Sequence, residues 1–98
     1  MAQIKQAVKQ TDPTATAILF GSRATGKARE DSDWDILVLV DKPSLTLSDE
    51  RRIMHNLYDV ELATGEPIST IVYPLHDWNT KLSESSLYVS VKKEGIEL

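Results

Sequence analysis

The fold is decided by two short segments, FGSRATG at residues 20–26 and DWDILVLV at residues 33–40. The residues before Gly21, from Ala15 to Phe20, are apolar strand formers, and glycine then allows a sharp turn or the close approach of a ligand. Ser22 is predicted to cap one short helical turn that Gly26 closes in the left-handed conformation. A helix start of this kind presents unpaired N–H groups that suit a phosphate, and the cationic Arg23 follows directly.

The second segment opens with two carboxylates, those of Asp33 and Asp35. Residues two apart in a strand point to the same face, so the two side chains are expected to lie together. Like charges so placed repel each other unless a cation neutralises them, and Mg²⁺ characteristically binds one or two carboxylates plus substrate phosphates. A phosphate-binding turn next to a magnesium-binding pair, on strands expected to be neighbours, is typical of a nucleotide-binding site.

The combination of a strand, Gly21-Ser22, ten intervening residues and Asp33-x-Asp35 before an apolar strand resembles the signature of the polymerase-beta-like nucleotidyltransferase superfamily. It is most similar to the minimal branch of that superfamily, whose members are often encoded beside a HEPN-type protein. The resemblance implies that Asp33 and Asp35 are catalytic and hold Mg²⁺, and that Gly21, Ser22 and Arg23 bind the nucleotide phosphates. The simpler alternative is a Gly-Ser turn followed by a strand that aspartate caps.

Members of the superfamily usually bring a third carboxylate from the neighbouring strand. The third predicted strand here, from Ile68 to Tyr73, contains no acid. Ser69 or Thr70 is the residue expected at the equivalent place. Glu66 would serve only if the strand were shifted, and two acids of the preceding helix would serve only if their faces turned toward the site; these are Asp59 and Glu61.

The composition of the 98 residues, 41% hydrophobic and 27% charged, is that of an ordinary soluble globular protein, and we expect a single domain over residues 1–98. The net charge of −4 does not favour broad attraction to nucleic acid or to an anionic membrane. The chain has no cysteine, no signal-peptide pattern and no long apolar run, which indicates a cytoplasmic protein.

The remaining pattern predicts an α/β (α+β) fold, a small mixed sheet of three or four strands with packed helices. Helices are expected over residues 2–10, from about residue 46 to Gly65, around Trp78, and over residues 83–93, with an extended tail at residues 96–98. In the long helix, Ile53, Met54, Leu57 and Val60 form the predicted buried stripe, which Tyr58 and Leu62 widen. Trp34 is expected to point away from the carboxylates and to pack.

Three functions are compatible with these features. The first is a nucleotidyltransferase that uses ATP or another nucleoside triphosphate to move a nucleoside monophosphate, AMP in the case of ATP, to a hydroxyl acceptor. The resemblance implies that this acceptor belongs to a toxin-like protein partner. The second is a catalytically weak, antitoxin-like module that acts by binding a HEPN-type partner, and the third is an interaction domain without a nucleotide site. A partner protein or a second copy of the chain is expected to complete the cleft.

Overall fold

The computed structural model describes residues 2–98, which form five helices and four strands. In chain order they are α1 (Ala2–Thr11), β1 (Thr16–Phe20), α2 (Ser22–Thr25), β2 (Trp34–Val40), α3 (Leu47–Thr64), β3 (Ile68–Pro74), α4 (Leu75–Thr80), α5 (Ser86–Glu94) and β4 (Ile96–Glu97). The strands form one mixed sheet in the order β3-β2-β1-β4. The predicted fold class is therefore confirmed, and the extended tail supplies the fourth strand.

Strand pairing brings the two deciding segments side by side. β1 and β2 are antiparallel, with Phe20 opposite Asp35, so the end of β1 meets the beginning of β2. β3 runs parallel to β2, with Ser69 opposite Asp35, and α3 makes the crossover between them. The end of β1 thus lies beside the starts of β2 and β3, at one end of the strands.

Helices cover both faces of the sheet, and β2 contributes apolar side chains to each. Ile36, Val38 and Val40 pack against α1 and α3, on what we call the α1–α3 face. Leu37 and Leu39 pack on the other side against Trp78 of α4 and Val91 of α5. Since Asp33 and Asp35 share the alternation of Leu37 and Leu39, we call this second side the carboxylate face. The apolar part of β2, from Ile36 to Val40, is therefore buried on both sides of the sheet.

The long helix α3 begins with a capping box between Thr46 and Asp49 and ends at Gly65, whose φ is 72°. Its core stripe is narrower than predicted. Ile53 and Leu57 are buried, whereas Tyr58 is 53% and Leu62 66% exposed. The expected widening was wrong because these two residues lie about 100° and 140° around the helix from Leu57 at 3.6 residues per turn.

The last helix also differs from the prediction. α5 begins at Ser86, three residues after the predicted start at Ser83, because the hydroxyl of Ser85 accepts a hydrogen bond from the N–H of Tyr88 and so caps the helix there. Across residues 2–98, no helix combines the length and apolar character that crossing a bilayer requires.

Candidate active site

The turn after β1 is built around a conformation that only glycine adopts freely. Gly21 has φ 73° and ψ −157°, and a Cβ placed on it would overlap the carboxylate of Asp35. Gly21 is itself the N-cap of α2, so the predicted capping role of Ser22 was wrong and Ser22 is the first helical residue. Gly26 closes the turn in the left-handed conformation as expected, with φ 77°. The missing side chain of Gly21 is what lets this peptide lie directly against Asp35.

The two aspartates lie at the start of β2 on the carboxylate face. Asp33 precedes the strand and is exposed, while Asp35 is its second residue and is half-buried. Burial, and then the nearby charge of Asp33, raise the pKa of the Asp35 carboxyl above its ordinary value. Two carboxylates in one place, one of them partly desolvated, are a donor set that a divalent cation neutralises and that fits Mg²⁺.

The third strand contributes a hydroxyl at this place. Ser69 lies opposite Asp35 in the parallel pair, and its Oγ donates a hydrogen bond to Oδ2 of Asp33 at 3.0 Å. Thr70 is the next residue along the strand and therefore points to the α1–α3 face. Of the two residues that the sequence left open, Ser69 is the one that reaches the aspartates.

The three alternative acids lie elsewhere. Glu66 accepts a hydrogen bond from Nε1 of Trp34 at 2.8 Å, and Trp34 packs on the α1–α3 face. Glu61 accepts the N–H of Ile68 at 2.7 Å, and Asp59 is exposed on α3 beside His55. Within residues 2–98, no group of three or more acidic, histidine or cysteine side chains could hold a metal ion. The site therefore combines two carboxylates with a serine.

Arg23 ties the turn to the segment that carries Asp33. Its guanidinium donates to the carbonyl oxygen of Ser32 at 2.9 and 3.2 Å and lies 3.4 Å from the carboxylate of Glu66. It also stacks over the ring of Trp34, 4.6 Å from the centroid. The sequence predicted positive charge beside the turn but not these contacts. Residues 23, 34 and 66 are too far apart in the chain for a local sequence pattern to reveal that they touch.

The carboxylate face is open at its polar end. Asp33 and Ser69 are both exposed, and α4 and α5 pack farther along β2, over Leu37 and Leu39. A groove of about 350 Å³ lies on a different part of the surface, between α1 and α3, and its lining includes amide side chains such as Gln6 and Asn56. The site is thus a surface that a second molecule can approach directly.

Known proteins share this fold. A crystal structure described as a toxin–antitoxin with AMP-PNP contains a chain that matches with a TM-score of 0.66 at 19% identity, covering 98% of this chain and 69% of that one. A toxin–antitoxin MntA-HpeT structure carrying two aspartate-to-glutamate substitutions matches with a TM-score of 0.65 at 17% identity, with the same coverages of 98% and 69%. At such identities the likeness shows the fold alone. No curated protein sequence matches this chain at a significant level.

The sequence itself identifies the family of this chain. The profile of the family described as Polymerase beta, Nucleotidyltransferase matches residues 2–92, which include every element from α1 to α4 and most of α5. The match spans the Gly21-Ser22 turn and also Asp33 and Asp35. The pairing of β1 with β2 brings this turn next to the two aspartates. The chain therefore belongs to the polymerase beta nucleotidyltransferase family.

Proposed function

We propose that this protein is a nucleotidyltransferase that transfers AMP from ATP to a hydroxyl group of another protein. The observation that carries the proposal is the contact between the Gly21 peptide and the carboxylate of Asp35, which a side chain at position 21 would prevent. It joins a turn able to receive phosphate oxygens to a pair of aspartates able to hold a cation.

Asp33 and Asp35 are the residues that would hold Mg²⁺. A bound Mg²⁺ would supply charge neutralisation at the phosphate oxygens and polarise the reacting phosphorus centre. The N–H groups of the Gly21-Ser22 turn and the hydroxyl of Ser22 are assigned to the β- and γ-phosphates. Arg23 follows the turn, but its guanidinium contacts Trp34 and Glu66 on the α1–α3 face, so the part we assign to it is to hold, through Ser32, the segment that leads into Asp33.

The reaction is a substitution at the α-phosphorus of ATP. The acceptor oxygen forms a bond to the α-phosphorus. At the same time the bond between the α-phosphorus and the oxygen that bridges to the β-phosphorus breaks, and pyrophosphate leaves. The acceptor proton passes to water. Positioning and charge neutralisation carry most of the catalysis in phosphoryl transfer, so two well-placed carboxylates and a phosphate-binding turn account for the essential parts.

A protein hydroxyl is the acceptor that the open site favours. The exposed carboxylate face leaves room for a second polypeptide, and the structures of similar fold are toxin–antitoxin complexes. We therefore propose a HEPN-type toxin as the partner and a tyrosine as the acceptor, since a phenol with a pKa near 10 loses its proton more readily than an aliphatic alcohol. Modification of the toxin would then neutralise it.

The test combines binding and turnover. We expect calorimetry to detect ATP binding that depends on Mg²⁺, and we expect pyrophosphate release when the partner is added. Asp33→Ala and Asp35→Ala should each lower the rate by about 10²–10⁴-fold, as does the loss of a well-placed charge. Asp59→Ala is the matched control, because Asp59 is an exposed acid of α3 away from the site. Absence of Mg²⁺-dependent ATP binding at millimolar nucleotide would overturn the proposal.

A second function is favoured by one observation, the serine in place of an acid on β3. In this alternative the chain is an antitoxin-like module that binds nucleotide weakly and restrains its partner by contact. It predicts that Asp33→Ala and Asp35→Ala neutralise the partner as well as wild type does. Loss of neutralisation in both variants, with complex formation retained, would exclude it.

A further inference from the structure

The position of Ser69 determines how many cations the site can hold. Ser69 lies opposite Asp35 on the neighbouring parallel strand, and its hydroxyl reaches Oδ2 of Asp33 at 3.0 Å. It is therefore the β3 residue that stands where a further ligand would have to come from. A hydroxyl is neutral, and the hard cation Mg²⁺ is bound in proteins chiefly through carboxylates and phosphates.

The hydrogen bond gives Ser69 a different task. An aspartate side chain that is exposed, as Asp33 is, rotates freely unless a partner restrains it. By donating to Oδ2, Ser69 restrains the carboxylate, and the residues that the structure describes donate no hydrogen bond to Oδ1, which would be the oxygen that binds the cation. Hydrogen bonds of this kind to a ligand carboxylate tune metal affinity, and their loss typically weakens it by 10–100-fold.

Charge and ligand number point the same way. Sites that hold two metal ions for phosphoryl transfer keep them about 3.5–4 Å apart. The repulsion between the two cations must be offset by surrounding anions. The carboxylate face offers two anions, those of Asp33 and Asp35, and the other acids considered lie away from it: Glu66, Glu61 and Asp59. These two carboxylates balance the charge of one divalent cation, so a second cation would have the nucleotide phosphates as its anionic ligands and no further protein carboxylate.

We propose that the site takes a single divalent cation together with the nucleotide, and that Ser69 is a positioning residue that holds Asp33 for that cation. This inference rests on the nucleotidyltransferase function proposed above. It adds the metal stoichiometry, which distinguishes this site from a two-metal site, and gives Ser69 a role in it.

The number of bound cations is tested with Mn²⁺, because each bound manganese gives its own anomalous scattering peak in a crystal. Crystals of the chain with α,β-methylene ATP, whose α–β bridge resists transfer, and Mn²⁺ should show one anomalous manganese peak per chain at the metal absorption edge. Ser69→Asp adds a third carboxylate and should produce two peaks. Two peaks in the wild type would overturn the inference while leaving the proposed function intact, whereas no bound manganese would overturn both.

The positioning role is tested by affinity in solution. Ser69→Ala should weaken Mn²⁺ binding by about 10-fold, and Ser69→Thr should retain most of the wild-type affinity because it keeps the hydroxyl. The affinity is measured from the electron paramagnetic resonance signal of free Mn²⁺. Ser90→Ala, at an exposed serine of α5, is the control and should bind as the wild type does. Equal affinities of the wild type and Ser69→Ala would contradict the role, provided that circular dichroism shows both to be folded.

Discussion

The two faces of the sheet differ most sharply at the start of β2. On the α1–α3 face, Trp34, Ile36, Val38 and Val40 form an apolar row that belongs to the larger core. On the carboxylate face the row begins with Asp33 and Asp35 and becomes apolar only at Leu37 and Leu39. One strand thus supplies a continuous core on one side and a polar surface followed by a core on the other.

The difference shows how a chain of 98 residues combines a stable fold with an exposed polar site. Partly buried carboxylates raise the free energy of the folded state, and the buried residues of α1 and α3 offset that cost from across the sheet. Substitutions in the core of the α1–α3 face should therefore change stability, and substitutions at the polar end of the carboxylate face should change binding and turnover.

The largest effect on stability is expected from the α1–α3 face. Leu57→Ala, at a residue only 2% exposed, should lower the free energy of unfolding by about 2–5 kcal/mol because it leaves a cavity in the core. Leu62→Ala on the same helix is 66% exposed and should change it by less than about 0.5 kcal/mol. Urea denaturation followed by circular dichroism measures both. Equal losses in the two variants would contradict the proposed packing of α3.

A substitution at the turn should damage both fold and function. Gly21→Ala places a side chain against Asp35 and keeps a backbone conformation that costs alanine about 1–3 kcal/mol, so ATP binding should be lost as well. Gly26→Ala is the matched control. It shares a positive φ, 77°, but a Cβ there meets nothing within 4 Å, so only about 1 kcal/mol of stability should be lost and binding should survive.

Calorimetric titration with ATP and Mg²⁺, together with urea denaturation, separates the two effects. Nucleotide affinity that falls by the same factor in both glycine variants would show that backbone strain alone, without contact between Gly21 and Asp35, matters to the site.

Glu66 tests whether the face of a carboxylate decides its role. Glu66→Gln removes the charge that faces Arg23 but keeps an acceptor for Trp34, so a stability loss of about 1 kcal/mol or less is expected for this partly exposed pair. Because Glu66 lies with Trp34 on the α1–α3 face, Mn²⁺ affinity should stay within about threefold of wild type, a change worth less than 1 kcal/mol. A loss as large as that of Asp33→Ala would make Glu66 a ligand and break the distinction between the faces.

The smallest effect is the pH dependence that Asp35 imposes. Its raised pKa means that the folded state binds this proton more tightly than the unfolded state, so its contribution to stability falls as pH rises from the unfolded value near 4 through the raised folded value. Asp35→Asn removes the charged form and should stabilise the metal-free protein at pH 7 by less than about 1 kcal/mol. Thermal unfolding with chelator measures the difference, which should vanish near pH 3, where the carboxyl is protonated in both states. A variant less stable than wild type at pH 7 would contradict the sign.

Local patterns were sufficient to predict most of the fold. The apolar run of β2, the glycine after β1 and the caps of α3 are all set by residues within a few positions of one another, and the structure confirms these elements. The predicted cap of α2 at Ser22 and the predicted start of α5 at Ser83 were wrong for a related reason. Several serines and glycines nearby can each cap a helix, and only the backbone geometry shows that Gly21 and Ser85 do so.

Features that depend on distant pairing were beyond local patterns. Whether Ser69, Thr70 or an acid meets Asp33 depends on the register between β2 and β3, which α3 separates in the chain. The contacts of Arg23 with Trp34 and Glu66 depend on the same register. The sequence could therefore predict that Asp33 and Asp35 lie together, but not which residue of β3 faces them.

The antiparallel pairing of β1 with β2 has a consequence for how the molecule assembles. Phe20 and Asp35 are close in the chain, so the loop that joins them closes at little entropic cost, whereas Ser69 must wait for the crossover through α3. We expect the turn and its two acids to come together before Ser69 joins them on the folding pathway. A nascent chain that has emerged only as far as β2 would then already carry the anionic half of its cation site, unrestrained and open to solvent.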